Sequence, residues 1–246
     1  MIILALDTSS IVASVALMED EKLLGEYTIN HKRTHSQKLM PMIDQLLQGC
    51  ELTMQDVDLI GVAEGPGSFT GLRIGVATAK GLAHAVDIPV VGVSTLDALA
   101  FNLPYCEGLV CPILDARRSQ VYTGVYKWEA GMLHRILTPQ TMTIEELIGE
   151  LSKRPERVVF LGDGIEVNRE KLEASLKGRV ILAPNRAKMP SAASVAELAL
   201  QKAQNKELMT YYELTPEYLR KSEAERQYED RVKRVGLDGN QKDDSQ

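Results

Sequence analysis

The segment Gly65-Pro66-Gly67-Ser68-Phe69-Thr70-Gly71-Leu72-Arg73-Ile74-Gly75 constrains this chain more than any other. It follows a strand-like apolar run, Asp58 to Ala63, and opens a helical pattern from Leu72 to Val86, so it reads as a strand-to-helix turn. Such a turn presents backbone N–H groups at the positive end of a helix dipole, where a phosphate would sit. No Lys-Ser/Thr pair follows Gly71, so the cation and the magnesium ligand of a P-loop are missing. A tight turn with a helix cap explains the glycines equally well. Within the helix, Gly71, Gly75, Ala79 and Ala83 recur every fourth residue, and Ala77, Gly81 and Ala85 do so on a neighbouring stripe. Glycine inside a helix costs about 1 kcal/mol relative to alanine. Something therefore packs very close, either the sheet beneath or a second chain, and spacing does not separate the two.

Around this turn the periodicities describe a sheet with helices on it. Ile2 to Leu6, Val12 to Met18 and Leu23 to Ile29 read as three strands of a meander. Leu39, Ile43, Leu46 and Leu47 share one helical face, with Pro41 expected to kink the first turns. Val90 to Val93 is a further strand. Near Leu103-Pro104-Tyr105 the pattern resets into a shorter echo of the same plan: strands at Leu109 to Leu114, Gln120 to Lys127 and Met132 to Leu137, a capping box at Thr143-x-x-Glu146, and a strand from Arg157 to Leu161. A later helix is expected from Ser194-x-x-Glu197 to about Asn205. The echo suggests internal duplication, although no residue-level repeat is visible.

Composition narrows the functional classes. The 246 residues are 44% hydrophobic and 25% charged, enough apolar content for real cores. The formal charge of -6 argues against a chain that grips nucleic acid by its own electrostatics. Cys50, Cys106 and Cys111 form no C-x-x-C pair and suit reduced thiols in the cytoplasm. The apolar start is too short for a membrane span and has no basic region before it, so neither a signal peptide nor membrane attachment is expected. From Glu223 half of the residues are charged and little could pack, so the segment reads as a solvated, disordered tail.

Other polar groups each carry two readings. Asp7-Thr8-Ser9-Ser10 ends the first strand at a hairpin tip. Sugar kinases, actin and heat-shock ATPases address metal and phosphate from this turn with an acidic residue and a glycine, but Ser9 stands in the glycine's place. A turn-forming aspartate is the alternative. His31-x-x-x-His35 has metal-ligand spacing, yet Lys32 and Arg33 lie between and no acidic ligand accompanies them. Asp115-Ala116-Arg117-Arg118 aims two guanidinium groups outward, suited to phosphate or carboxylate or forming an ordinary surface cluster. The four histidines assemble no Ser/His/Asp or Cys/His constellation.

Taken together, Leu4-Ala5-Leu6-Asp7-Thr8-Ser9, His35-Ser36, the glycine-rich segment, Asp115-Ala116-Arg117-Arg118 with Val121-Tyr122, and Tyr218-Leu219-Arg220 resemble the TsaB family of the bacterial tRNA threonylcarbamoyladenosine machinery, formerly filed with glycoprotease-like proteins. The likeness covers residues 1 to about 222. It implies an α/β, two-lobed actin-like ATPase (ribonuclease H-like) fold with a truncated second lobe: residues 1–104 plus 188–222 as lobe one, 105–187 as lobe two and 223–246 as the tail.

The resemblance also implies a non-catalytic dimerising partner of a catalytic paralogue, TsaD, joined by the ATPase TsaE, with a homodimer when alone and tRNA met only through the complex. The paralogue's two metal-binding histidines would fall at Thr95 and Leu99, which cannot replace imidazole, so no metal is expected here. Pairing through the helices of lobe one makes Leu39, Met40, Ile43, Gly71, Leu72, Gly75 and Ala79 the expected interface. Asp7, Gly67, Ser68, Arg73 and Arg117 are the candidates for contact with ATP or ADP at a subunit boundary, with no cofactor required. A free-standing sugar-kinase-like phosphotransferase or ATPase is the alternative, with Asp7 holding magnesium, and a metalloprotease is the third class.

Overall fold

The computed structural model describes residues 1–31 and 35–220. Lys32 and Arg33, and the whole of the charged tail from Glu223, lie outside the described residues. Two five-stranded sheets organise the chain. The first contains β1 (Ile2–Asp7), β2 (Val12–Glu19), β3 (Lys22–Asn30), β4 (Leu59–Gly65) and β5 (Val90–Ser94), in the order β3-β2-β1-β4-β5. The second contains β6 (Leu109–Asp115), β7 (Gln120–Glu129), β8 (Met132–Thr143), β9 (Val158–Leu161) and β10 (Val180–Leu182), in the order β10-β9-β6-β7-β8. Read from β6 onward, this is the first sheet's order repeated. In each sheet the first strand pairs antiparallel with the second and parallel with the fourth, as in Asp7↔Ser14 and Leu4↔Ile60, then Asp115↔Val121 and Val110↔Val159. The duplicated two-lobed, mixed α/β architecture is thus written in the strand order.

The second lobe keeps all five strands but is the abbreviated copy of the two. Its economy lies in element length. Helix α1 (His35–Gly49) and helix α2 (Phe69–Val86) of the first lobe correspond to α4 (Ile144–Ser152) and α5 (Ile165–Leu176) of the second, both shorter, and β10 has three residues. Helix α5 and β10 carry little sequence signal: α5 buries only Ile165, Leu172 and Leu176 among polar residues.

Helices α1 and α2 cover one face of the first sheet, with Leu39, Ile43, Leu46, Val76 and Ala79 packed on Leu4, Leu6, Val15 and Val62. Helix α1 runs through Pro41, which lies on its exposed face. Helix α6 (Ala192–Gln204) covers the opposite face with Val195, Ala196 and Ala199. It begins two residues before the expected Ser194, because its first N–H groups are satisfied by distant strands: Ala192 N donates to Ser14 Oγ at 3.0 Å and Ala193 N to Glu26 Oε1 at 3.2 Å.

Helix α3 (Thr95–Phe101), which the sequence did not announce, is a wedge between the lobes. Leu96, Leu99 and Ala100 pack on Val110, Tyr126 and Leu161 of the second sheet, while Ala98 belongs to the core of the first. The chain therefore crosses between sheets at residue 95, earlier than the reset near Leu103 suggested.

Candidate functional site

The carboxyl ends of β1 and β4 meet at the glycine-rich turn. Ser68 caps α2, its Oγ accepting from Gly71 N at 3.3 Å. Ser68 N donates to the carbonyl of Ser9 at 2.6 Å, and Thr8 Oγ1 donates to the carbonyl of Gly71 at 2.7 Å. The glycines are there because the β1–β2 turn lies directly against them. A Cβ on Gly67 would land on the Ser9 carbonyl, one on Gly71 on the Thr8 carbonyl, and one on Gly75 on the Thr8 hydroxyl. The close neighbour implied by the in-helix glycines is therefore this chain's own first hairpin.

This packing bears on the phosphate reading of the turn. Two of the N–H groups at the helix start are already taken, Ser68 N by Ser9 and Gly71 N by the cap. Arg73 does not reach over the turn. Its guanidinium lies 4.0 Å from the Phe69 ring centroid and its Nε donates to the Tyr218 hydroxyl at 3.0 Å. Arg117 is exposed in the β6–β7 turn, where its backbone N–H donates to Asp115 Oδ1 at 2.7 Å. Gly67 and Ser68 thus sit against the β1–β2 turn, while Arg73 and Arg117 are engaged elsewhere, Arg73 at Phe69 and Tyr218 and Arg117 in the β6–β7 turn.

Asp7 is fully buried. Its Oδ1 accepts from Ser9 N at 2.8 Å and from Ser9 Oγ at 2.6 Å, while Oδ2 is buried without a partner. Burial pushes its carboxyl up to about 6, with the two Ser9 hydrogen bonds and the nearby His35 pulling the other way. His35 is occupied as well: its Nε2 lies 2.8 Å from the Ser10 carbonyl, fixing the same turn rather than facing a metal.

A second polar group spans the lobes. Asp97, in the first turn of α3, accepts from Tyr126 Oη at 2.8 Å and Arg135 Nε at 3.0 Å. Burial and the Asp97 charge hold the Tyr126 phenol well above its ordinary range. Glu64 is half-buried near Lys202, and desolvation raises its carboxyl. Sequence reasoning missed Asp97, Tyr126, Arg135 and Glu26, since each finds its partners far along the chain and none sits in a local motif.

Thr95 and Leu99 are both buried on α3, one turn apart. A hydroxyl and an isobutyl group offer a metal no adequate pair of ligands. Among the described residues no group of three or more His, Cys, Asp or Glu side chains is placed to hold a metal ion. No helix among them is long and apolar enough to cross a membrane.

The expected interface residues divide sharply. Leu39, Ile43, Leu72 and Ala79 are essentially inaccessible, and Gly71 and Gly75 are buried against the hairpin. Of the seven only Met40 is exposed. The correction follows from which stripe of α2 faces inward: the Gly71–Gly75–Ala79 stripe meets Thr8 and the sheet, so Ala77, Gly81 and Ala85 face out. A Cβ added at Gly81 would meet nothing within 4 Å.

Comparison with known proteins places these features in context. The family model described as "TsaD: tRNA N6-adenosine threonylcarbamoyltransferase" matches residues 22–228. A Bacillus subtilis protein named "tRNA threonylcarbamoyladenosine biosynthesis protein TsaB" is 39% identical over 227 residues, covering 92% of this chain and 96% of the relative. A Haemophilus influenzae protein of the same name is 34% identical, covering 89% of this chain and 93% of the relative. Among solved structures, a Pseudomonas aeruginosa protein described as having similarity to peptidase YEAZ superposes with a TM-score of 0.76 at 28% identity, covering 89% of this chain and 99% of that one.

Proposed function

The chain belongs to the TsaB family of tRNA threonylcarbamoyladenosine biosynthesis proteins, and from that premise we propose that it is the non-catalytic scaffold of the modifying complex. It works in the cytoplasm, pairs with itself when alone and exchanges that contact for the catalytic paralogue TsaD, with the ATPase TsaE joining the assembly. Residues 1–104 with 188–222 serve as the docking lobe and 105–187 as its companion. The chain requires no nucleotide or metal of its own.

The observation that carries this reading is the outer face of α2. Ala77, Gly81 and Ala85 form an exposed stripe of small residues on a rigid 18-residue helix, and no atom lies near the missing Cβ of Gly81. Intramolecular packing explains the inner glycines but not Gly81, whose cost of about 1 kcal/mol in a helix a closely approaching partner backbone would offset. Exposed Met40 on α1 extends the same docking region. The chemistry around it supports a supporting role: Asp7 is shut away from water, and Thr95 and Leu99 stand where the resemblance would put metal ligands. A net charge of -6 leaves the main electrostatic grip on tRNA to another subunit.

Gly81→Leu tests the interface without disturbing the core, because the new side chain points into open space. Sedimentation and pull-down with the TsaD-type partner are expected to lose both self-association and heterodimer formation while circular dichroism stays unchanged. Retention of both contacts would refute the α2 interface. Turnover of ATP by the purified chain alone would instead favour the sugar-kinase-like alternative, and stoichiometric zinc the metalloprotease reading.

A further inference from the structure

After α6 the described residues run from the first lobe across to the second. Met209 and Val90 exchange backbone hydrogen bonds at 3.1 and 3.0 Å, adding to the edge of β5. Lys80 Nζ donates to the carbonyl of Leu214 at 2.9 Å, and Leu214 is fully buried in the core under α2. Glu217 N donates to the Glu64 carbonyl at 2.7 Å, beside the glycine-rich turn. Tyr218 then stacks on Phe69 with ring centroids 4.6 Å apart. Within the next two residues the same segment is on the other lobe: Thr141 Oγ1 of β8 donates to the Leu219 carbonyl at 3.5 Å, and the Arg220 guanidinium donates to the carbonyls of Ala116 and Arg117.

One more tie joins the lobes at another depth, and a second joins the two crossover segments. Asp97 on α3 accepts from Tyr126 of β7 and, through both its oxygens, from Arg135 of β8, and its side chain is only 17% exposed. Nearest the crossings, Asn102 Nδ2 donates to the carbonyls of Met189 at 2.8 Å and Ala187 at 3.2 Å, while its Oδ1 accepts from Ser194 Oγ at 2.7 Å. The outgoing and returning strands of chain are thereby bolted to each other. Between these ties lies α3, buried on one side against the first sheet and on the other against the second.

A hinge needs a few residues free to absorb changes in φ and ψ and an interface that can part without leaving buried charge behind. Here parting the lobes would strip Asp97, whose side chain is 17% exposed, of both its phenol and its guanidinium partner, and leaving a largely buried carboxylate without donors is unfavourable even though Arg135 itself is half exposed. We propose that residues 206–220 form a strap which, with Asp97–Arg135–Tyr126 and Asn102, locks the two lobes into one rigid body, so that this chain lacks the opening and closing motion its two-lobed architecture would otherwise permit. The inference stands apart from the scaffold reading, since a locked chain need not be a scaffold.

The test measures the spread of interlobe distances in the full chain. Spin labels go on exposed Gln45→Cys in α1 and exposed Ala174→Cys in α5, with Cys50 and Cys106 replaced by serine. Cys111 is left in place, since it is fully buried and its thiol is pushed up to about 12. The intact chain is expected to give one narrow distance distribution, and the Arg135→Ala/Arg220→Ala double variant a distribution at least twice as wide. A broad distribution in the intact chain overturns the proposal, and it decides the matter even if the double variant fails to fold. An unchanged width in a folded double variant overturns it equally.

Discussion

Replacing Gly75 by alanine should weaken the protein although alanine is the better helix former. In an unobstructed helix the exchange gains about 1 kcal/mol. At this position the added Cβ falls on Thr8 Oγ1, with Thr8 Cβ and Val62 Cγ2 each 3.7 Å away. Thr8 can rotate away only by giving up its 2.7 Å hydrogen bond to the Gly71 carbonyl, in a turn where Thr8 is 1% exposed. Leaving a buried hydrogen-bonding group unpaired costs about 1–3 kcal/mol. If the helix shifts instead, overpacking costs a similar amount, about 1–3 kcal/mol. The net loss is therefore on the order of 1 kcal/mol for Gly75→Ala, against a gain of about 1 kcal/mol for Gly81→Ala on the open face. Thermal unfolding followed by circular dichroism should separate the two variants by roughly 4–8 °C, taking about 2–4 °C per kcal/mol for a chain of this size. Thr8→Ala in the Gly75→Ala background should recover part of the loss, because the two positions are in contact and their effects are not additive. Equal stability of the two glycine variants would refute the close-packing account of the inner stripe.

Two further outcomes follow from buried polar groups. Asp7 has a folded-state carboxyl raised to about 6 from 3.8, so between these values the folded chain binds more protons than the unfolded one and stability falls as pH rises from about 4 to 6; Asp7→Asn should flatten that slope in urea unfolding, and an unchanged slope would count against a dehydrated carboxylate. Glu26 Oε1 accepts from Ser191 Oγ at 2.7 Å, Ser14 Oγ at 3.0 Å and Ala193 N at 3.2 Å, tying β3 to the start of α6, so Glu26→Ala should lower the urea midpoint by an amount equivalent to about 2–4 kcal/mol, whereas a loss within the range of ordinary surface substitutions would show that Glu26 carries none of this load.

The repeated strand order was legible because its elements advertise themselves: buried runs at β1, β2, β4 and β5, and a one-sided apolar face on α1. Helix α3 was not, for a physical reason. Being buried on both sides, Thr95, Leu96, Ala98, Leu99 and Ala100 show no polar face, and seven residues are too few for a period to declare itself. Helix α5 failed in the opposite way, with too few apolar positions to mark a face. The start of α6 was misplaced because its donors are met by Ser14 and Glu26, some 170 residues earlier in the chain. The stripe of α2 left exposed is the neighbour of the one expected at the interface. Gly71–Gly75–Ala79 and Ala77–Gly81–Ala85 have the same spacing and nearly the same composition, and only the position of Thr8 says which stripe is inside.

A glycine-rich turn between strand and helix has two uses: to leave room for a ligand, or to let another stretch of backbone come in. What stands where the absent Cβ would be distinguishes them. At Gly67 and Gly71 those places hold the carbonyl oxygens of Ser9 and Thr8, which are acceptors and would repel a phosphate. The same contact explains the state of Asp7. With the hairpin tip pressed under the helix start, its carboxyl is sealed from water and its Oδ2 is left without a donor, which is why burial dominates and raises it to about 6. A carboxylate meant to hold hydrated magnesium needs solvent beside it and a stable negative charge. Asp7 is sealed from water and its carboxyl is raised to about 6, so the hairpin tip and the glycine-rich turn together form the joint that fixes α2, the helix that carries the proposed docking stripe around Gly81.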